Sequence, residues 1–110
     1  MKTVYEAYKE ASEDINIQEN KRIVIESKDP DYCYWFAIMI PRSNIKAHEE
    51  VILKNKNPYD CYRFARDVKD SNKEELLKVV LESGDEYWIN RFLERVDFDK
   101  EKFADYLLFI

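Results

Sequence analysis

Asp29-Pro30-Asp31-Tyr32-Cys33-Tyr34-Trp35-Phe36-Ala37-Ile38-Met39-Ile40-Pro41 decides the fold, because it recurs. Moved along the chain until Asp29 meets Asn57, it falls on Asn57-Pro58-Tyr59-Asp60-Cys61-Tyr62-Arg63-Phe64-Ala65-Arg66-Asp67-Val68, and the same step again lands on Asp85-Glu86-Tyr87-Trp88-Ile89-Asn90-Arg91-Phe92-Leu93-Glu94-Arg95-Val96. Asp29-Pro30 and Asn57-Pro58 set a hydrogen-bond acceptor ahead of a proline, whose fixed φ suits a first helical turn. Asp85-Glu86 keeps the cap and puts a carboxylate at the positive end of the helix instead. Behind each cap, Cys33, Phe36, Ala37 and Ile40 follow i, i+3, i+4, i+7 spacing, as do Cys61, Phe64, Ala65, Val68 and Ile89, Phe92, Leu93, Val96. This is the core face of an amphipathic helix, helix A of a repeat.

Working outward, a second helix, B, is predicted from Asn16, Asn44, Asn72 and Asp99, all capping residue types. It carries its own apolar set: His48, Val51 and Ile52, then Leu76, Val79 and Val80, then Ala104, Leu107 and Leu108. Only a few polar residues, Pro41-Arg42-Ser43 or Lys69-Asp70-Ser71, separate A from B, and links that short predict antiparallel pairs. Backward, the same register sets Tyr5 and Tyr8 where Cys33 and Phe36 stand, which makes the first repeat degenerate. Pairs of short helices cannot bury both faces alone, so they are expected to stack. The expected fold is all-α: a single domain over residues 1–110, a small α-solenoid of four antiparallel helix pairs, about 1–28, 29–56, 57–84 and 85–110.

The totals agree with that reading. One glycine and three prolines in 110 residues leave little material for hairpin turns or a phosphate-cradling loop. Hydrophobic residues at 45% supply a core, and charged residues at 37% supply a solvated exterior. The opening Met1-Lys2-Thr3-Val4-Tyr5-Glu6 lacks the apolar run of a signal peptide, and no segment reaches membrane-span length, so a cytoplasmic location is expected. Cys33 and Cys61 share one repeat position; such points on stacked helices lie about 8–10 Å apart, too far for a disulfide, so both are expected as reduced core residues.

The string Asp-Pro-x-Tyr-Cys-Tyr-x-Phe-Ala at 29–37, followed by Ile-Lys-Ala-x-Glu-Glu-Val-Ile at 45–52 and a short Glu-Ser-Lys-Asp or Asn-Lys-Asn link, resembles a tandem helical repeat of phage and bacterial proteins of unknown function. The resemblance covers residues 23–96. By analogy it implies a phage setting, in which a small acidic chain is similar in kind to inhibitors of host defence, anti-CRISPR proteins among them.

Enzyme chemistry finds little support. His48 is the only histidine, and Leu76 and Ala104 occupy its position in later repeats, which marks it as a core residue. No zinc-type cysteine spacing, P-loop or dinucleotide fingerprint occurs, so no cofactor is expected. Glu49-Glu50 and Glu74-Glu75 flank the helix B stripe as a solvated face. Net charge runs −1, 0, −1 and −3 over the four repeats, so none is basic and direct nucleic-acid binding is not expected. The acidic last repeat offers Asp97, Asp99 and Glu101 as a secondary candidate surface, a mimic of nucleic-acid phosphates that would block a DNA- or RNA-binding site.

The repeats differ most just off the core stripe of helix A. There the third repeat has Arg63, Arg66 and Asp67 and the fourth has Arg91, Glu94 and Arg95, but the second has Trp35, Ile38 and Met39. Three large apolar residues at i, i+3, i+4 form one ridge, and tryptophan is a favoured interface anchor. The alternative is that the first repeat, with Ala7, Glu10 and Ala11 at these positions, folds across the ridge and covers it. The chain's end, Leu107-Leu108-Phe109-Ile110, lacks a polar capping repeat and is expected to fold back on the last pair. The sequence thus predicts a non-enzymatic protein-binding module. Its contact residues are Trp35, Ile38, Met39, Arg63 and Arg66. Its partner is a protein, such as a nucleic-acid-binding defence complex, or a second copy of the chain.

Overall fold

A computed structural model describes residues 2–40, 44–101 and 104. Among them are seven helices and no strand: α1 Val4–Ser12, α2 Ile17–Ser27, α3 Pro30–Met39, α4 Ile45–Asn55, α5 Pro58–Asp67, α6 Lys73–Ser83 and α7 Glu86–Arg95. They group into two compact units, Met1–Asn55 and Lys56–Ile110.

The capping chemistry repeats with the sequence. Asp29 Oδ1 accepts from the backbone N–H of Asp31 (2.9 Å) and Tyr32 (3.4 Å), Asn57 Oδ1 from Tyr59 (2.9 Å) and Asp60 (3.2 Å), and Asp85 Oδ1 from Tyr87 (3.1 Å) and Trp88 (3.4 Å). At the other end the chain turns extended at Ile40, Val68 and Val96, and their N–H groups donate to the carbonyls of Phe36, Phe64 and Phe92. Starts and ends of α3, α5 and α7 thus recur with the same constant step as the sequence string. Asn44 and Asn72 cap α4 and α6 through the N–H groups of Ala47 and Glu75, each at 3.2 Å. Asp99 Oδ1 accepts from the Glu101 N–H, at 3.1 Å.

In the first unit α1 packs against α2 and α3, and α4 against α3 and α2. Ala7, Asn20, Val24, Cys33, Phe36, His48 and Ile52 are fully buried there. In the second, α5 packs against both α6 and α7 around Cys61, Phe64, Ala65, Leu76, Val80 and Phe92. Leu77, beside the expected helix B stripe, is buried too, while Val51 and Val79 are half-buried. Leu107, Leu108, Phe109 and Ile110 lie outside the described residues, as do Pro41-Arg42-Ser43 and Asp105; Ala104, expected in a core, is exposed.

The first repeat corrects the register predicted for it. The helix starts Val4 and Ile17 lie closer together, by two residues, than do Pro30 and Ile45 or Pro58 and Lys73. The capping residue Thr3 therefore matches Asp29, and Ala7 rather than Tyr5 takes the place of Cys33. Tyr5 is accordingly 54% exposed, while Ala7 and Ala11 are buried. A reciprocal Thr3–Glu6 capping box fixes this start, at 3.1 Å in each direction. The Thr3 N–H it accepts is the main cause of the lowered pKa of Glu6. The shorter link turns through left-handed Asp14 and Asn16, and in that geometry the Asn16 side chain makes no cap.

Helices α2, α4 and α6 all run out into a left-handed residue, Lys28 (φ 58°), Lys56 (φ 55°) and Gly84 (φ 70°). Only the third has the residue type that adopts this φ without strain. A Cβ built on Gly84 meets nothing within 4 Å, so the penalty at this position is conformational rather than steric. Lys56→Gly is expected to raise stability by about 0.5–1 kcal/mol and Gly84→Lys to lower it by about the same amount. Urea unfolding of the two variants checks the opposite signs.

Candidate functional site

Helix α3 carries no charge after Asp31 in its first turn. Cys33, Tyr34, Phe36 and Ile40 are buried, so its inner face is spent on the core. Trp35 and Met39, one turn apart, point away from it and are 43% and 58% exposed; Ile38 beside them is half-buried. The Trp35 ring meets Tyr34 edge-on, centroids 5.2 Å apart, which braces it against the helix. Helix α1 reaches the start of α3, where Tyr8 and Tyr32 lie 5.8 Å apart, and Trp35 and Met39 stay in solvent. The alternative, in which Ala7, Glu10 and Ala11 of the first repeat cover the ridge, is not met at Trp35 and Met39, and Ala7 and Ala11 are themselves buried.

The two arginines of the expected contact set behave differently from one another. Arg66 lies at the surface of α5, clamped by Asp67 through Nε at 2.8 Å and Nη2 at 2.7 Å and stacked over Tyr62 at 5.1 Å. Asp67 is the chief cause of its raised pKa. Arg63 is not a surface residue: only 6% exposed, it pairs with buried Asp60 at 3.1 Å and lies over Tyr59 at 5.0 Å. Its position just off the core stripe is filled inward in α5, where the Asp60 carboxylate travels in with it.

Asp97, Asp99 and Glu101 are all exposed. Asp97 lines a shallow groove of about 340 Å³ with Arg66, Asp67, Lys69 and Lys73. The cations offset its field locally.

An aromatic and arginine face on α5 and α7 escaped the sequence reading. Trp88 sits among Tyr59, Tyr62 and Tyr87, with ring centroids 5.0, 5.5 and 4.7 Å away, and Arg91 lies over Tyr87 at 5.1 Å. The signal was present as tyrosine followed four residues later by arginine at 59/63, 62/66 and 87/91.

Both thiols are buried. Cys33 is fully buried, contacts the Val24 carbonyl at 3.9 Å and has its pKa pushed up to about 12, first by burial and then by Asp29. Cys61 is equally buried and free of any disulfide. Among the described residues no helix is long and apolar enough to cross a membrane. Compared with known proteins, this all-helical chain matches no family model, no curated protein and no solved structure.

Proposed function

We propose that the chain is a non-enzymatic protein-binding module whose helix pairs stack as a four-repeat α-solenoid in one domain, with Trp35, Ile38 and Met39 of α3 as the docking ridge and a folded protein as the partner. One observation carries this reading: a helix that already spends its inner face on the core keeps a tryptophan and a methionine in solvent one turn apart. The corresponding positions of α5 and α7 hold charged residues, Arg63 and Asp67 or Arg91 and Arg95, so the helical repeat itself does not require large apolar side chains there. The narrower form of the proposal, an inhibitor of a host defence protein, rests only on the resemblance of the repeat string. Arg63 drops out of the contact set because its buried pair with Asp60 is structural.

Trp35→Asp combined with Met39→Lys tests the ridge. Both side chains are more than a third exposed, so the double variant should keep its helical circular dichroism. A partner captured from the native host by the wild-type chain should be lost by the variant; retention of the same partner by a folded variant would sink the proposal.

A further inference from the structure

His48, the only histidine of the chain, has a fully buried ring on α4. It stacks on Phe36 of α3, centroids 5.0 Å apart and planes 29° from parallel, and neither Nδ1 nor Nε2 has a hydrogen-bond partner. The same place in the repeat is filled in two other ways in this chain. In α2 it is Asn20, also fully buried but satisfied: Lys2 Nζ donates to its Oδ1 at 3.0 Å, and its Nδ2 donates to the Ile15 carbonyl at 2.9 Å. In α6 it is Leu76, which needs no partner. Of these three residues, only His48 brings a titratable group into the core, and its ring nitrogens have no partner to receive their protons.

A neutral imidazole tolerates this site at the loss of its bonds to water. An imidazolium does not, since it would bury a charge and two donors that have no acceptor. Among the described residues, no acceptor is bonded to the ring. On α2 the charge that acts on the ring is another cation, Lys21, whose ammonium donates to Gln18, while Arg22 and Glu26 pair with each other at the surface. Helix α3 presents uncharged Phe36 and the Cys33 thiol, and its one charge after the cap, Asp31, is exposed in the first turn. On α4, Glu50 is exposed, and Glu49, which is buried, has a partner of its own and makes no bond to the ring.

We propose that His48 is an acid-triggered release of the 1–55 unit: mild acid opens the packing of α4 on α3, while the 56–110 unit, with Leu76 at that place, stays closed. Because α3 also carries Trp35 and Met39, their ridge is dismantled in the same step. Burial, then Lys21, lowers His48 from 6.5 to about 4 in the folded chain. The unfolded state therefore binds the extra proton between those values, and the stability lost as pH falls from about 6.5 to 4 is fully regained above that window.

The 110-residue chain provides its own reporters: one histidine, and one tryptophan in each unit, Trp35 and Trp88. Between pH 6.5 and 4.5 the opening equilibrium of the first unit, followed by the Trp35 indole N–H signal in NMR, should rise on the order of thirtyfold from His48 alone. The Trp88 signal should not follow it. His48→Leu, which copies the α6 solution, should remove that rise; a variant with the same pH dependence as the wild type overturns the proposal. Should His48→Leu fail to fold, the histidine ring signal of the folded wild-type chain decides: a midpoint below about 5 supports the proposal, and any higher midpoint overturns it.

Discussion

Phe64→Ala is expected to cost about 3–5 kcal/mol, the range for removing a fully buried aromatic ring whose surroundings relax only in part. Phe64 is fully buried on α5, the helix that packs against both α6 and α7, so the cavity opens where the second unit draws its helices together. Domains of this size have roughly 5–15 kcal/mol of stability in all, and the substitution therefore takes a large share of it. Because the chain divides into two compact units, unfolding should be followed with a probe in the unit that is changed. Trp88, in ring contact with Tyr59 and Tyr62 of α5, is that probe. Phe64→Leu should lose much less, because it keeps most of the buried volume. A loss below about 1 kcal/mol for Phe64→Ala would mean that the site is not a packed core.

That Phe64 is a core residue was legible in advance, since Phe36 and Phe92 stand at the same place in the neighbouring repeats and all three are fully buried. Helix caps were legible for the same reason: Asp29, Asn57 and Asp85 act through short-range chemistry that the local sequence specifies in full. The first repeat was not. Sliding the chain by one constant step assumes equal links, and the two residues missing between Val4 and Ile17 set Tyr5 and Tyr8 against Cys33 and Phe36 by coincidence of residue class. The Thr3-x-x-Glu6 capping box is a local signal that fixes the correct register without any comparison. The ridge was half legible. Comparing repeats separated Trp35, Ile38 and Met39 from the core stripe, but their exposure depends on where α1 lies, which the shifted register had misplaced. Arg63 shows the limit of reading charge as surface: Asp60 stands three residues before it in plain view, and only the packing decides that the pair is carried inside.

Arg63→Ala is therefore expected to act on stability, at a cost of about 3–5 kcal/mol, because it takes the guanidinium away from the buried Asp60 carboxylate. The Asp60 and Arg63 side chains are 7% and 8% exposed and meet at 3.1 Å, so solvent screening gives little relief. The truncation also strips the guanidinium from the Tyr59 ring, at 5.0 Å, a loss of packing as well as of charge. Arg63→Lys keeps the charge but not the planar fork, and should fall between Arg63→Ala and the wild type. A buried pair is often replaceable by apolar side chains of similar volume at little net cost, so Arg63→Met combined with Asp60→Ala should be less destabilised than Arg63→Ala alone. This double variant separates the two meanings of Arg63. If the residue only supports the fold, the repaired core recovers whatever partner binding Arg63→Ala loses through unfolding. If Arg63 touches the partner, the double variant folds and still fails to bind. Urea unfolding followed at Trp88, run beside a binding measurement on the same four proteins, distinguishes these outcomes, and the burial of Arg63 predicts the first.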